Sequence, residues 1–324
     1  MKYTPPKFET LSEMASIDVG RLTEDEARGI LESIRWPNGI ECPHCKSKDI
    51  VRINGKSEKV RDGLLRCKGC RKQFTVTVGT IMERSHITLR QWVQAFYSMC
   101  SHKKGVSSLQ LQRNLGLHSY RSAWHLTHRI RSAMKEDPLA GLLKGVVEVD
   151  ETYIGGKPRK NTGKKHKRGR GTDKTPVMAM VERRGRLVSK PLENVTAKTL
   201  KAALKEAVDR ESKIITDEWS GYNGIEKEFK GGHHIVNHGR GEYCRGNISV
   251  NGAESFFALL KRGVHGTFHH ISKKHLSRYC NEFSFRWDNR KVNDGKRTEE
   301  VVKGMEGKRL MLKDLIGNEK RIEV

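Results

Sequence analysis

The sequence predicts an α/β protein: a mixed sheet with flanking helices, preceded by a small metal-binding ribbon and a helix-turn-helix. Three observations predict it. Val146–Ile154 alternates β-branched and acidic residues, the pattern of a half-buried strand. The stretch after it switches repeatedly between a period of two and a period near 3.6, so strands and helices interleave. Ahead of it, two Cys-x-x-Cys pairs bracket short strand-like runs.

The bulk numbers set the frame. A chain of 324 residues implies two or three domains. The expected boundaries are an N-terminal helical segment at 1–38, a zinc ribbon at 39–80 and a helix-turn-helix region at 81–137. A catalytic-type α/β domain at 138–291 and a tail at 292–324 follow. Formal net charge is +25, from 63 Lys and Arg against 38 Asp and Glu. So basic a chain implies a polyanionic partner, and phosphate neutralisation is the usual reason. No apolar run approaches the ~18 residues of a membrane span, and the N-terminus lacks a signal-type apolar core. The expectation is a cytoplasmic, nucleoid-associated protein with no membrane partner.

In chain order, Leu22, Glu26, Ile30 and Ile34 recur at helical spacing, Thr23 with Glu26 fits a capping box, and Trp36-Pro37-Asn38-Gly39 ends the helix. Cys42 and Cys45, then Cys67 and Cys70, offer four thiolates for one tetrahedral, structural Zn2+. Gly69 marks a tight knuckle in the second pair; His44 is not needed as a ligand. Phe74–Val78 reads as a strand. Thr88 caps a helix with Leu89, Trp92, Val93, Phe96 and Tyr97 as its apolar stripe.

Val106 to Leu115 reads as a helix closed by Gly116, and Tyr120 to Met134 as a second helix with Trp124, Leu126, Ile130 and Met134 inward. That leaves Arg121, His125, His128, Arg129 and Arg131 for the outer surface, where the second helix of such a pair contacts DNA. The stretch 157–174 has nine Lys and Arg and one acid. Within it Lys164, Lys165, Lys167, Arg168 and Arg170 form a basic arm that fits a DNA backbone.

The remaining elements are strands at 176–182 and 186–192 joined by a hairpin, a helix at 197–208, a strand at 213–217, a weaker strand at 233–237 and a helix from 250 to 261. A helix between the last two strands is left open. The order matches a ribonuclease-H-like layout. In it Asp150 sits mid-strand, Asp217 ends a neighbouring strand 67 residues on, and Glu254 lies 37 residues later on a helix. Asn251 is one turn before Glu254, and Lys261 two turns after it on the same face. Glu148 and Glu218 are lesser acid candidates. The histidines at 233, 234, 238, 269, 270 and 275 read as loop and phosphate-contact residues, and Cys100, Cys244 and Cys280 as ordinary thiols.

Three segments carry a family resemblance: Val-Glu-Val-Asp-Glu-Thr-Tyr-Ile-Gly-Gly-Lys from 147, Thr-Asp-Glu-Trp-Ser-Gly-Tyr from 216, and Asn-Gly-Ala-Glu-Ser-Phe-Phe-Ala-Leu-Leu-Lys-Arg-Gly from 251. With the stretches from Gly266 and Tyr279, they resemble the bacterial insertion-sequence DDE transposases that carry a zinc ribbon and helix-turn-helix, the ISXO2-like subgroup. The likeness spans residues 40–291. It implies DNA transposition, a form of DNA recombination: metal-dependent cleavage at the ends of a transposable element and strand transfer into target DNA. By position Asp150, Asp217 and Glu254 match the acidic triad, with Asn251 as alternative or additional ligand, and Lys261 matches the following basic residue. Two Mg2+ (or Mn2+) ions are expected on these oxygens, about 3.5–4 Å apart, activating the attacking oxygen and stabilising the leaving one. The partners implied are double-stranded DNA, as terminal inverted repeats and as target, and further copies of the chain in a dimer or higher assembly. The alternatives are a zinc-dependent DNA-binding regulator with an inactive acid site, and a ribonuclease-H-like nuclease.

Overall fold

The computed structural model describes residues 10–53, 61–135, 141–156, 172–242 and 244–317. The chain divides into two compact units, one of Met1–Met134 with Lys291–Val324, the other of Lys135–Arg290.

The first unit opens with α1 (Ser16–Arg21) and α2 (Glu24–Arg35). The capping box is present: the Glu26 N–H donates to Thr23 Oγ1 at 3.3 Å and the Thr23 N–H donates to Glu26 Oε2 at 2.8 Å. Ala27, Ile30 and Leu31 form the buried face of α2. Three short strands follow, β1 (Ile50–Arg52), β2 (Leu65–Cys67) and β3 (Gln73–Phe74), paired antiparallel in that order. The strand expected over Phe74–Val78 stops at Phe74. Beyond it the chain curls, with Thr75 and Thr77 hydroxyls 2.9 Å apart and the Val78 N–H donating to Thr75 O. Threonine hydroxyls so placed stabilise a turn over a ladder. Next come α3 (Leu89–Ser101), capped by Thr88, then α4 (Ser108–Leu115) and α5 (Tyr120–Ala133). Gly116 ends α4 in the left-handed region at φ 63°, which glycine tolerates without strain.

The second unit is a ribonuclease-H-like α/β domain. Its strands are β4 (Val146–Ile154), β5 (Thr175–Glu182), β6 (Leu187–Pro191), β7 (Lys213–Asp217) and β8 (His233–Val236), with α6 (Ala197–Ala207) between β6 and β7. They form a mixed sheet in the order β6-β5-β4-β7-β8. β4, β5 and β6 run antiparallel in sequence, while β7 lies parallel to β4 and β8 parallel to β7. The helix left open between β7 and β8 is two single 3-10 turns, Ser220–Tyr222 and Ile225–Lys227, separated by Gly224 at φ 80°. A small hairpin, β9 (Cys244–Arg245) and β10 (Ile248–Ser249), leads into α7 (Asn251–Gly263), followed by α8 (Leu276–Asp288).

The strand alternation sorts the core into two layers. Val147, Val149, Met178 and Met180 pack with Leu200 and Leu204 of α6. On the other face Val177, Ala179 and Val181 pack with Phe256, Phe257 and Leu260 of α7 and Phe283 of α8. Glu148, Asp150 and Thr152 therefore project on the α7 side.

The chain then returns to the first unit as α9 (Asp294–Lys303) and α10 (Leu312–Ile316). α9 packs on α2 and α3, burying Val301 and Val302. This corrects the outer surface expected for α5. Leu126, Ile130 and Met134 are buried as expected and Trp124 is half-buried, but His128 and Arg131 are fully buried and Arg129 nearly so. His125 Nε2 lies 3.0 Å from Leu310 O, Lys308 Nζ donates to Ala133 O, and Arg129 donates to Glu83 O while its guanidinium lies over Trp92. Segments from 81–85 and 305–310 cover a helix face that is polar by sequence. Of the α5 residues expected on DNA, only Arg121 is exposed. No helix among the described residues is long and apolar enough to cross a membrane.

Candidate active site and zinc centre

Cys42, Cys45, Cys67 and Cys70 bring their sulfurs within 4.8 Å of one another, and none is in a disulfide. Cys42 and Cys70 Sγ lie 3.7 Å apart, Cys45 and Cys67 Sγ 3.5 Å apart. Four thiolates ~2.3 Å from a tetrahedral zinc would stand about 3.8 Å from one another, so the donor set fits that ion with no ligand to spare. The Cys70 N–H donates to Cys67 Sγ at 3.5 Å and leads the influences that hold the Cys67 thiol down at about 6. Each knuckle turns at the residue after its second cysteine: Lys46 and Arg71 have φ of 63° and 60°. Gly69 lies in the turn over 68–70 that brings the Cys70 amide to the Cys67 sulfur, and Arg71 takes the left-handed conformation just after it.

The acids are placed by sheet register. β4 and β7 pair through Val146↔Lys213, Val147↔Ile214 and Glu148↔Ile215. Two residues further along both strands stand Asp150 and Asp217, abreast and on one face. The parallel ladder ends at Glu148↔Ile215, and Asp217 closes β7 at its carboxyl end, where open α/β sheets hold their ligands. Ala179, small, faces Asp150 from β5, and the Glu151 N–H donates to Asp150 Oδ1 at 2.8 Å. The Trp219 N–H donates to Asp217 Oδ1 at 3.1 Å.

Glu254 comes from the first turn of α7, exposed, while Ala253, Phe256, Phe257 and Leu260 bury the opposite face. Asn251 and Lys261 are exposed on the same side of the helix. Burial pushes the Asp150 carboxyl up to about 7; the Glu151 amide opposes this, the charges of Asp217 and Glu254 add to it, and His238 opposes it. Asp217 and Glu254 are thus within electrostatic reach of Asp150. A half-buried carboxyl that is costly to ionise beside two other acids fits a divalent cation, which removes that cost. Among the described residues, the four cysteines are the tight ligand cluster, and the acids are spread more widely.

Three features were not legible in the sequence. Glu148, read as a lesser acid candidate, is buried and engaged elsewhere: its Oε1 accepts from Arg183 Nε and Nη2 at 3.0 and 2.7 Å, its Oε2 from the Gly252 N–H at 2.7 Å. Glu218 accepts from the N–H groups of His238 and Gly239 and so shapes the turn that brings His238 towards Asp150. Trp219 orients Asp217. The runs Glu-Val-Asp and Asp-Glu-Trp hint at such support, but partners from Arg183 and Gly252 depend on the fold. Lys164, Lys165, Lys167, Arg168 and Arg170 lie outside the described residues.

Residues 142–288 match the family described as the ISXO2-like transposase domain, and residues 22–73 match the transposase zinc-ribbon domain. Over 276 residues the chain is 29% identical to an uncharacterized protein in transposable element ISH50 of Halobacterium salinarum, covering 82% of this chain and 91% of that protein. No solved structure matches the chain.

Proposed function

We propose that this chain, whose residues 142–288 match the ISXO2-like transposase domain and whose residues 22–73 match the transposase zinc ribbon, binds the ends of its own mobile element and catalyses phosphodiester cleavage and strand transfer into target DNA. The observation that carries this reading is the register of β4 and β7, with Asp150 and Asp217 abreast below the first turn of α7 and Glu254 adding its charge. Asp150, Asp217 and Glu254 are the proposed holders of Mg2+ or Mn2+. Bound divalent ions would supply Lewis-acid activation of the attacking oxygen and charge neutralisation at the leaving one. Hard carboxylate oxygens of this kind would suit Mg2+, which would keep waters and bind substrate phosphate.

Glu254, whose charge reaches Asp150, is the proposed third ligand, and Asn251, a neutral oxygen donor one turn earlier, is the alternative or additional one. Lys261, seven residues on and exposed, is the proposed phosphate contact near the scissile bond. The attacking groups are water and then the freed 3′-hydroxyl, so no nucleophilic side chain is assigned. The zinc ribbon, whose metal is structural, and the α4–α5 helix-turn-helix are the proposed readers of the terminal inverted repeats, with Arg121 on the DNA side. The 157–174 arm tracks the backbone, and a dimer or higher assembly holds two ends together.

The site-level test is cleavage of labelled border DNA under Mg2+ by Asp150→Asn, Asp217→Asn, Glu254→Gln and Asn251→Ala. The first three lose at least about a hundredfold in rate and Asn251→Ala retains most of it. Full activity in Glu254→Gln with loss in Asn251→Ala would move the third ligand to Asn251.

A further inference from the structure

Glu148 is the acid on the catalytic face of β4 that is spent on protein partners. Its side chain is 6% exposed. One oxygen takes both Arg183 donors and the other takes the Gly252 amide. That amide is one of the N–H groups a helix leaves unsatisfied in its first turn. Gly252 is required by closeness: a Cβ there would lie 2.6 Å from Glu148 Oε2 and 3.3 Å from Val181 Cγ1. The same arginine donates to Asn247 O and Ser249 O, so it also ties down the hairpin that feeds α7.

The carboxylate is buried while the Arg183 side chain is 29% exposed, and an ion pair with one buried end is a poor device for stability alone. It does supply direction. The apolar face of α7 holds the helix against the sheet, yet hydrophobic contact is non-directional and tolerates sliding along the axis. The Glu148 hydrogen bonds fix the axial position and rotation of the first turn. Asp150 stands two residues after Glu148 on β4, and Glu254 stands two residues after Gly252 on α7.

We propose that Glu148 is a positioning residue: with Arg183 and Gly252 it latches the start of α7 to β4 and so sets where Glu254 stands relative to Asp150 and Asp217. The latch rests on the reading of those three acids as a divalent-metal centre and deepens it.

The test is Mn2+ binding to the full-length, zinc-loaded protein without DNA, followed by electron paramagnetic resonance, with thermal unfolding measured on the same samples. Glu148→Ala and Gly252→Ala each weaken Mn2+ binding by about 10- to 100-fold, the usual effect of losing a support behind a metal ligand. Glu148→Gln, which keeps an acceptor for the Gly252 amide, retains part of the affinity. If Gly252→Ala acts by displacing the Glu148 carboxylate, the double variant binds no more weakly than the worse single one. Wild-type Mn2+ affinity in folded Glu148→Gln and Gly252→Ala, with only the unfolding temperature lowered, overturns the latch and leaves Glu148 a structural ion pair. Wild-type affinity in Asp150→Asn and Asp217→Asn overturns instead the metal-centre reading beneath it.

Discussion

Burial holds the Asp150 carboxyl protonated up to about 7, against ~3.9 for an unfolded aspartate. As pH rises, the unfolded chain gives up this proton first. The group therefore costs the Mg2+-free fold nothing below about pH 4, a growing amount between about 4 and 7, and a constant amount above. Thermal unfolding against pH should show that decline in the wild type and its absence in Asp150→Asn. Added Mg2+ should raise the unfolding temperature most above pH 7, where no proton competes for the oxygen. Parallel curves for the two proteins, with and without Mg2+, would mean that Asp150 is neither burdened nor relieved in this way. The residue scale also marks where sequence reading stops. Asp150 and Asp217 are legible because a strand's period of two fixes the face of each, whereas Glu148 satisfies the same rule and serves a different end. What separates them is Arg183, 35 residues away, and a glycine amide 104 residues away.

At the scale of elements, α5 shows why a polar stripe is not a surface. Its helical period follows from the sequence, but the cover over His128, Arg129 and Arg131 includes chain some 180 residues downstream, which no local pattern announces. Burial outweighs the hydrogen bond to the Leu310 carbonyl, which favours the charged ring, and with Arg129 and Arg121 nearby holds the His125 imidazole below its ordinary value; burial with Arg309 brings Arg129 down to about 10. These groups are core. His128→Ala should therefore cost about 2 kcal/mol or more of stability, read by urea unfolding, with little change in DNA affinity per folded molecule. Arg121→Ala should do the reverse: wild-type unfolding, weaker border-DNA binding and a salt slope reduced by about one. If His128→Ala lost DNA affinity at full stability, α5 would have to expose that face on binding. The ribbon is the element most legible in advance, since its ligand spacing is local. Cys67→Ser should lower zinc below about one per chain and unfold β1–β3, checked by metal analysis and limited proteolysis. Its strands of two or three residues, like the β9–β10 hairpin, are too short for periodicity to bound well.

For the whole molecule, a formal charge of +25 fits a partner that is a polyanion over most of its length. Binding to DNA of any sequence should fall steeply with salt, with a slope near −0.9 per phosphate neutralised. Replacing Lys164, Lys165, Lys167, Arg168 and Arg170 with Gln should flatten that slope and lower affinity for border and random DNA alike, leaving their ratio unchanged. A change in the ratio would give the arm a role in sequence reading. The order of elements from 146 to 261 is largely legible because β4 alternates, β5 and β7 are short apolar runs bounded by turn residues, and α6 and α7 keep a helical period; the sheet's strand order is legible only through the likeness of its layout.

The most direct measurement is a joining reaction with labelled border DNA of the element and a supercoiled plasmid, in Mg2+ and without added divalent cation. It is run with wild type and Asp217→Asn. Joined products from the wild type with Mg2+ alone, and none from Asp217→Asn, are the predicted result. Joining by Asp217→Asn at the wild-type rate would contradict the site. Bound but uncut DNA in every lane would make the chain a DNA-binding regulator, and hydrolysed ends that never join would make it a nuclease.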